Sequence, residues 1–115
     1  MPSVSINYIE LPATNLAATK KFFTDAFDWS FVDYGPDYAA IQGGGLDGGF
    51  YSSELTATTA QGSALVVLYS AKLEQAQQQV EEAGGSVIKP IFEFPGGRRF
   101  HFKCPSGNEY AIWSE

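Results

Sequence analysis

Residues 16–27, LAATKKFFTDAF, carry Leu16, Thr19, Phe23 and Ala26 at spacings that place all four on one side of a helix. Thr14-Asn15 just ahead supplies the N-cap, where a short polar side chain accepts from backbone N–H groups that the helix leaves unpaired. Before the cap, VSINYIEL (residues 4–11) reads as a strand. A shift of 57 positions lays Leu16 on Leu73, Thr19 on Ala76, Phe23 on Val80, Ala26 on Ala83 and Phe31 on Ile88. The shifted helix again follows an apolar, β-branched run, ALVVLY, and Gly84-Gly85 ends it. One offset that aligns both strand and helix face predicts a duplicated unit.

After each helix the spacing changes to short runs broken by turn residues, which predicts antiparallel strands joined by hairpins. The runs are WSFVDY, DYAAIQ and GGFYSS in the first half, punctuated by Gly35-Pro36 and Gly43-Gly44-Gly45. In the second half they are SVIKP, RRFHFK and EYAIWS, punctuated by Pro95-Gly96-Gly97 and Pro105-Ser106-Gly107-Asn108. The expected class is α+β, with two tandem βαβββ modules in a single domain over residues 1–115. Module 1 covers about 1–53, a polar linker (ELTATTAQG) about 54–62, and module 2 about 63–115.

At 115 residues and 44% hydrophobic, the chain can bury one continuous core. Seven basic against thirteen acidic residues leave a net charge of −6, and the Lys and Arg residues form no run. Nucleic acid and anionic membrane are therefore not expected partners. Met1-Pro2-Ser3 opens without a basic segment and apolar h-region, and no apolar stretch approaches a membrane span, which predicts a cytoplasmic protein. The one cysteine, Cys104, can build no internal disulfide framework and lacks the paired spacing of a zinc site.

ELPATNL, FFTDAFDWSF, GGRRFHF and CPSGNEYAIW together resemble the vicinal-oxygen-chelate superfamily, which includes glyoxalase I, extradiol dioxygenases and bleomycin-binding proteins. The resemblance covers essentially the whole chain and is greatest to uncharacterised bacterial glyoxalase-like proteins. Asp28 stands where that family usually has Gly, and Cys104 where it usually has Asp. The resemblance implies a cupped, mostly antiparallel sheet with helices outside, ligands held inside, and cups often completed across a homodimer axis.

Metal-dependent members place His or another ligand near the middle of each module's first strand and Glu on the last strand. The resemblance carries those positions to Tyr8, Leu65 and Ala111, with the remaining one near Gly49 to Tyr51. None supplies an imidazole, carboxylate or thiolate, so no metal or other cofactor is expected. If Tyr8, Leu65 and Ala111 face the cup, strand alternation turns Glu10, Val67, Tyr69, Glu109 and Trp113 the same way. In GGRRFHFK, Phe100 and Phe102 suit a helix-packed face, leaving Arg99, His101 and Lys103 for the cup. The expected ligand-binding residues are Tyr8, Glu10, Tyr69, Arg99, His101 and Trp113.

Glu10 on an apolar strand is costly to bury without a partner, and Arg99 or His101 is the expected one. A structural pair and a catalytic one both fit that placement. Gly43-Gly44-Gly45 has neither a following Lys-Ser/Thr nor a helix start, so a hairpin turn is expected there rather than a phosphate loop. The leading expectation is a metal-independent protein that binds a small hydrophobic or aromatic ligand. The alternatives are an isomerase or lyase using Glu10 with Tyr8 or His101 for proton transfer, and a domain acting through its dimer interface.

Overall fold

Helix α1 spans Leu16–Phe27 in the computed structural model, which describes residues 3–115. Met1 and Pro2, part of the expected unexported N-terminus, lie outside the described residues. Asn15 is the N-cap, its side chain accepting from the Ala18 N–H at 3.0 Å. Asp28 closes the helix at φ 62°, a left-handed conformation that Asp tolerates better than most side chains, which explains how it stands where Gly is usual. Helix α2 spans Leu73–Glu82. The two helices begin at the offset read from the sequence, and Thr19, Phe23, Ala76 and Val80 are all buried.

Each module builds its own mixed four-stranded sheet. Sheet A has the order β1 (Ile9–Ala13), β4 (Gly48–Ser52), β3 (Tyr38–Gln42), β2 (Ser30–Asp33). Sheet B repeats it with β5 (Val66–Tyr69), β8 (Glu109–Ser114), β7 (Gly97–Lys103), β6 (Ser86–Phe94). In each sheet the first strand is parallel to the last and lies at an edge, and the remaining pairs are antiparallel. The first strand starts at Ile9, later than expected, because Ile9 pairs with Gly48, the first residue of β4. Pro12 fits β1 because an edge strand has no ladder bond to lose on its open side.

Both sheets contribute to one core. Ile9, Leu11 and Phe50 of sheet A join Phe100, Phe102, Tyr110 and Ile112 of sheet B around the helices. Phe22 lies 5.8 Å from Phe102 and Phe23 lies 5.2 Å from Tyr110, ring centre to ring centre, so α1 packs on the other module's sheet.

The Cys104–Asn108 turn pins the modules together. The Ser106 hydroxyl accepts from the Asn15 N–H at 3.0 Å and lies 2.6 Å from the Thr19 hydroxyl. Asn108, 1% exposed, accepts from the Ala57 N–H at 2.9 Å and donates to the Pro12 carbonyl at 2.6 Å. The 54–62 segment is more than a spacer, since Ala57 and Thr58 are buried and Thr59–Gln61 forms a 3-10 turn.

Candidate functional site

Strand alternation fixes which groups leave the core. Ile9, Leu11 and Ala13 face the helices, so Glu10 takes the opposite face of sheet A, and Tyr8 and Tyr38 join it there through hydrogen bonds. The Tyr38 hydroxyl donates to Glu10 Oε2 at 2.9 Å, and the Tyr8 and Tyr38 hydroxyls lie 2.6 Å apart. With the Tyr38 proton committed to the carboxylate, Tyr8 is the donor in that second bond, and its own lone pairs remain free. Burial first, then the bonds to Tyr8 and Glu10, push the Tyr38 hydroxyl well above the ordinary phenol value. Gly49 makes the arrangement possible, because a Cβ there would lie 2.2 Å from the Tyr38 hydroxyl oxygen.

On sheet B, Tyr110 and Ile112 face the core, so Glu109, Ala111 and Trp113 take the outer face, with Arg99, His101 and Lys103 opposite them on β7. His101 and Glu109 are 5% and 8% exposed, and His101 Nδ1 lies 2.8 Å from Glu109 Oε2. The other carboxylate oxygen, Oε1, accepts from the Thr59 N–H and the Thr59 hydroxyl, each at 2.8 Å. Burial raises the Glu109 carboxyl, but the bonds from His101 and Thr59 outweigh it and hold the group down at about 2. An ionised carboxylate only accepts, so His101 donates from Nδ1. Among the described residues, His101 Nε2 is buried and has no hydrogen-bond partner, and neither has Arg99 Nε.

Aromatic side chains wall this face. The Arg99 guanidinium lies 5.3 Å from both the Phe92 and the Phe94 ring centres, and His101 lies 5.8 Å from Phe92. Phe94 meets Trp113 at 6.2 Å, and Trp113 meets Tyr69 at 5.1 Å, edge to face in both cases. Val67, Phe94, Gly96, Arg99 and Trp113 line a cleft of about 240 Å³. A larger cavity, about 880 Å³, opens on the core side between the modules, against Ile9, Leu11, Phe50, Val66, Leu68 and Ile112. Of the six expected ligand residues it touches only Tyr69.

The structure divides those six into two groups. Tyr8 and Glu10 meet through Tyr38 on sheet A, whereas Tyr69, Trp113, Arg99 and His101 share the outer face of sheet B. The expected pairing of Glu10 with Arg99 or His101 does not occur within the chain. The carboxylate on His101 is Glu109, two positions along β8 from Ala111, and the partner of Glu10 is Tyr38. Both sheets turn their helix faces to one shared core, so their outer faces look away from each other. Sequence reasoning missed Tyr38, Thr59, Phe92 and Phe94, and counted Glu109 only as cup-facing. The available signal was Gly49, a residue without a side chain opposite a tyrosine-bearing strand.

The residues at the implied metal positions do not fit a metal. Tyr8 is bonded to Tyr38, Leu65 and Ala111 carry no donor, and of Gly49 to Tyr51 on β4 only Tyr51 carries a side-chain oxygen, a phenol rather than a carboxylate, imidazole or thiolate. Among the described residues no group of three His, Cys, Asp or Glu side chains is placed to hold one. Cys104 is buried, and burial pushes its thiol up, which disfavours the thiolate. No helix among the described residues is long and apolar enough to cross a membrane.

Known structures share this architecture. The chain is similar to the bleomycin-binding protein of Streptomyces verticillus complexed with copper(II)-bleomycin, at TM-score 0.71 and 17% identity, covering 100% of this chain and 99% of that one. It is similar to the genomically encoded fosfomycin resistance protein of Listeria monocytogenes, at TM-score 0.79 and 15% identity over 99% and 91% of the two chains. Hypothetical protein SA1046 of S. aureus gives TM-score 0.76 and 17% identity over 99% and 96%. No curated protein sequence matches. Identities this low carry the fold alone. A family model matches residues 5–112, nearly the whole of both modules, and with it the chain belongs to the glyoxalase/bleomycin resistance protein/dioxygenase superfamily.

Proposed function

We propose that this member of the superfamily binds a small hydrophobic or aromatic molecule on the outer face of sheet B, without a metal, in a cup that a second copy completes. The observation that carries it is the pair of buried nitrogens, Arg99 Nε and His101 Nε2, that find no partner among the described residues and lie at the base of an aromatic wall. Buried polar groups left unpaired cost about 1–3 kcal/mol each, which a ligand's polar atoms recover. The donor-poor metal positions support metal independence, and the similar bleomycin-binding protein supports a binding role. A cytoplasmic location accords with a single, buried cysteine.

The second copy is argued from the edges. β1 and β5 each pair on one side only and flank the large apolar cavity. Two such edges meeting across a two-fold axis pair β1 of one subunit with β5 of the other, and the cavity is covered at the same time. The join sets the Tyr8–Tyr38–Glu10 face of one subunit beside the other's sheet B, whose outer face carries Lys89, Arg99 and Lys103. Acidic and basic halves then complement each other.

Sedimentation equilibrium at micromolar concentration is expected to show a dimer. Thermal shift against aromatic compounds is expected to show the same stabilisation with EDTA as with added Mn²⁺ or Zn²⁺, about 2.7 kcal/mol at a ligand concentration of 100 Kd. A monomer at every concentration, or a shift only with metal, would overturn the corresponding part. The hydrogen-bonded chain to Glu10 and the His101–Glu109 pair favour one second reading, an isomerase or lyase. On that reading Glu10→Gln abolishes turnover and leaves ligand affinity within about twofold, given that Gln preserves the acceptor for Tyr38.

A further inference from the structure

We infer that the ligand is a planar aromatic carboxylate with a hydroxyl on the far side of its ring, the carboxylate received by Arg99 and the hydroxyl by His101. The inference rests on the binding site proposed above and assigns its chemistry.

Arg99 sets the first requirement. Its guanidinium lies close to two rings, Phe92 and Phe94, each at 5.3 Å. Aromatic contact of that kind occupies the faces of a cation and leaves its N–H edge for hydrogen bonding. A flat anion meeting that edge makes two parallel charge-assisted bonds, as only a carboxylate or similar oxyanion does. Within the described residues Arg99 forms no salt bridge, although Lys20, Lys21, Arg98 and His101 all do. In a chain of net charge −6, an arginine held half-buried without an acid is a receptor waiting for one.

His101 sets the second. Glu109 accepts from His101 Nδ1 and is itself held by Thr59, so the ring cannot turn without breaking the group apart. Nε2 is therefore the ring atom left to meet a ligand, and a hydroxyl, which both donates and accepts, suits it. Arg99 and His101 are two residues apart on one face of β7, a separation of about 6.5–7 Å along an extended strand. That backbone spacing is on the scale of one six-membered ring with a substituent at each side. Trp113 and Phe94, which share the cleft with Arg99, supply the flat walls. Phe92 covers His101 from β6, whose pairing with β7 is irregular between Lys89 and Phe92, so the cover belongs to the least regular strand of the sheet.

The test is calorimetric titration of the intact protein with benzoate, benzamide, 4-hydroxybenzoate and 4-hydroxybenzamide. Benzoate is expected to bind at least about tenfold tighter than benzamide, the value of a charge-assisted pair over a neutral one. 4-Hydroxybenzoate is expected to gain about a further fivefold, the worth of one ordinary hydrogen bond. Arg99→Lys should erase most of the carboxylate preference and keep the hydroxyl gain, and His101→Phe the reverse. The single histidine gives a readout independent of folding defects in variants, since ¹⁵N NMR of the wild-type ring should show Nδ1–H and a shift of Nε2 on adding 4-hydroxybenzoate. Amides binding as tightly as acids would overturn the inference while leaving the aromatic site standing. Heat from none of the four compounds would overturn the inference and the site together.

Discussion

Phe23→Ala is expected to lower the free energy of unfolding by about 4 kcal/mol. Phe23 is 0% exposed and stacks on Trp29 at 4.6 Å and on Phe50 at 5.6 Å, with Tyr110 of the second module edge-on at 5.2 Å. Truncation removes a ring from the point where both modules meet. The surrounding rings are rigid and anchored on separate elements, so the space closes only partly. Small domains are stable by about 5–15 kcal/mol, which makes this a large share of the total. Urea unfolding followed by tryptophan fluorescence measures it, and a loss under about 1 kcal/mol would mean that the two modules do not share one core.

Removing Glu109 is expected to cost nearly as much for a different reason. Glu109→Ala strands His101 Nδ1, the Thr59 N–H and the Thr59 hydroxyl in a buried site, and breaking such a group costs about 3 kcal/mol. The effect has a pH signature. The carboxyl sits at about 2 in the folded protein against an ordinary 4.5, so its contribution is fully present above pH 4.5. It is lost as pH falls from there towards 2, and is on the order of 3 kcal/mol over the whole window. Glu109→Gln, which cannot ionise, should lack that part of the acid sensitivity. Urea midpoints between pH 7 and pH 2.5 for wild type and Glu109→Gln decide the point: equal slopes would show that the carboxylate is not held ionised.

Much of the fold was legible because a duplicated helix face survives as spacing, and spacing needs no partner to be read. Leu16 and Leu73 open the two helices at the expected offset, and the antiparallel runs fall where the turn residues place them. The first strand was read too early because Val4, Ile6 and Tyr8 alternate as well as any strand, yet β4 begins at Gly48 and gives them nothing to pair with. The site was legible by face but not by partner. Alternation put Glu10 and His101 on outward faces, but whether two outward faces meet depends on how the sheets pack. Thr59 looked like linker because a single hydroxyl in a polar run carries no mark of the carboxylate it will serve.

The pins between Ser106 or Asn108 and the first module have a consequence for the order of synthesis. Asn15 waits 91 residues for the Ser106 hydroxyl, and the Pro12 carbonyl waits 96 for Asn108. A chain leaving the ribosome therefore completes α1 and sheet A long before the residues that lock them exist. Phe22 and Phe23 stay without Phe102 and Tyr110 through most of translation. The nascent first half, rather than the finished protein, is the species that chaperones must shield.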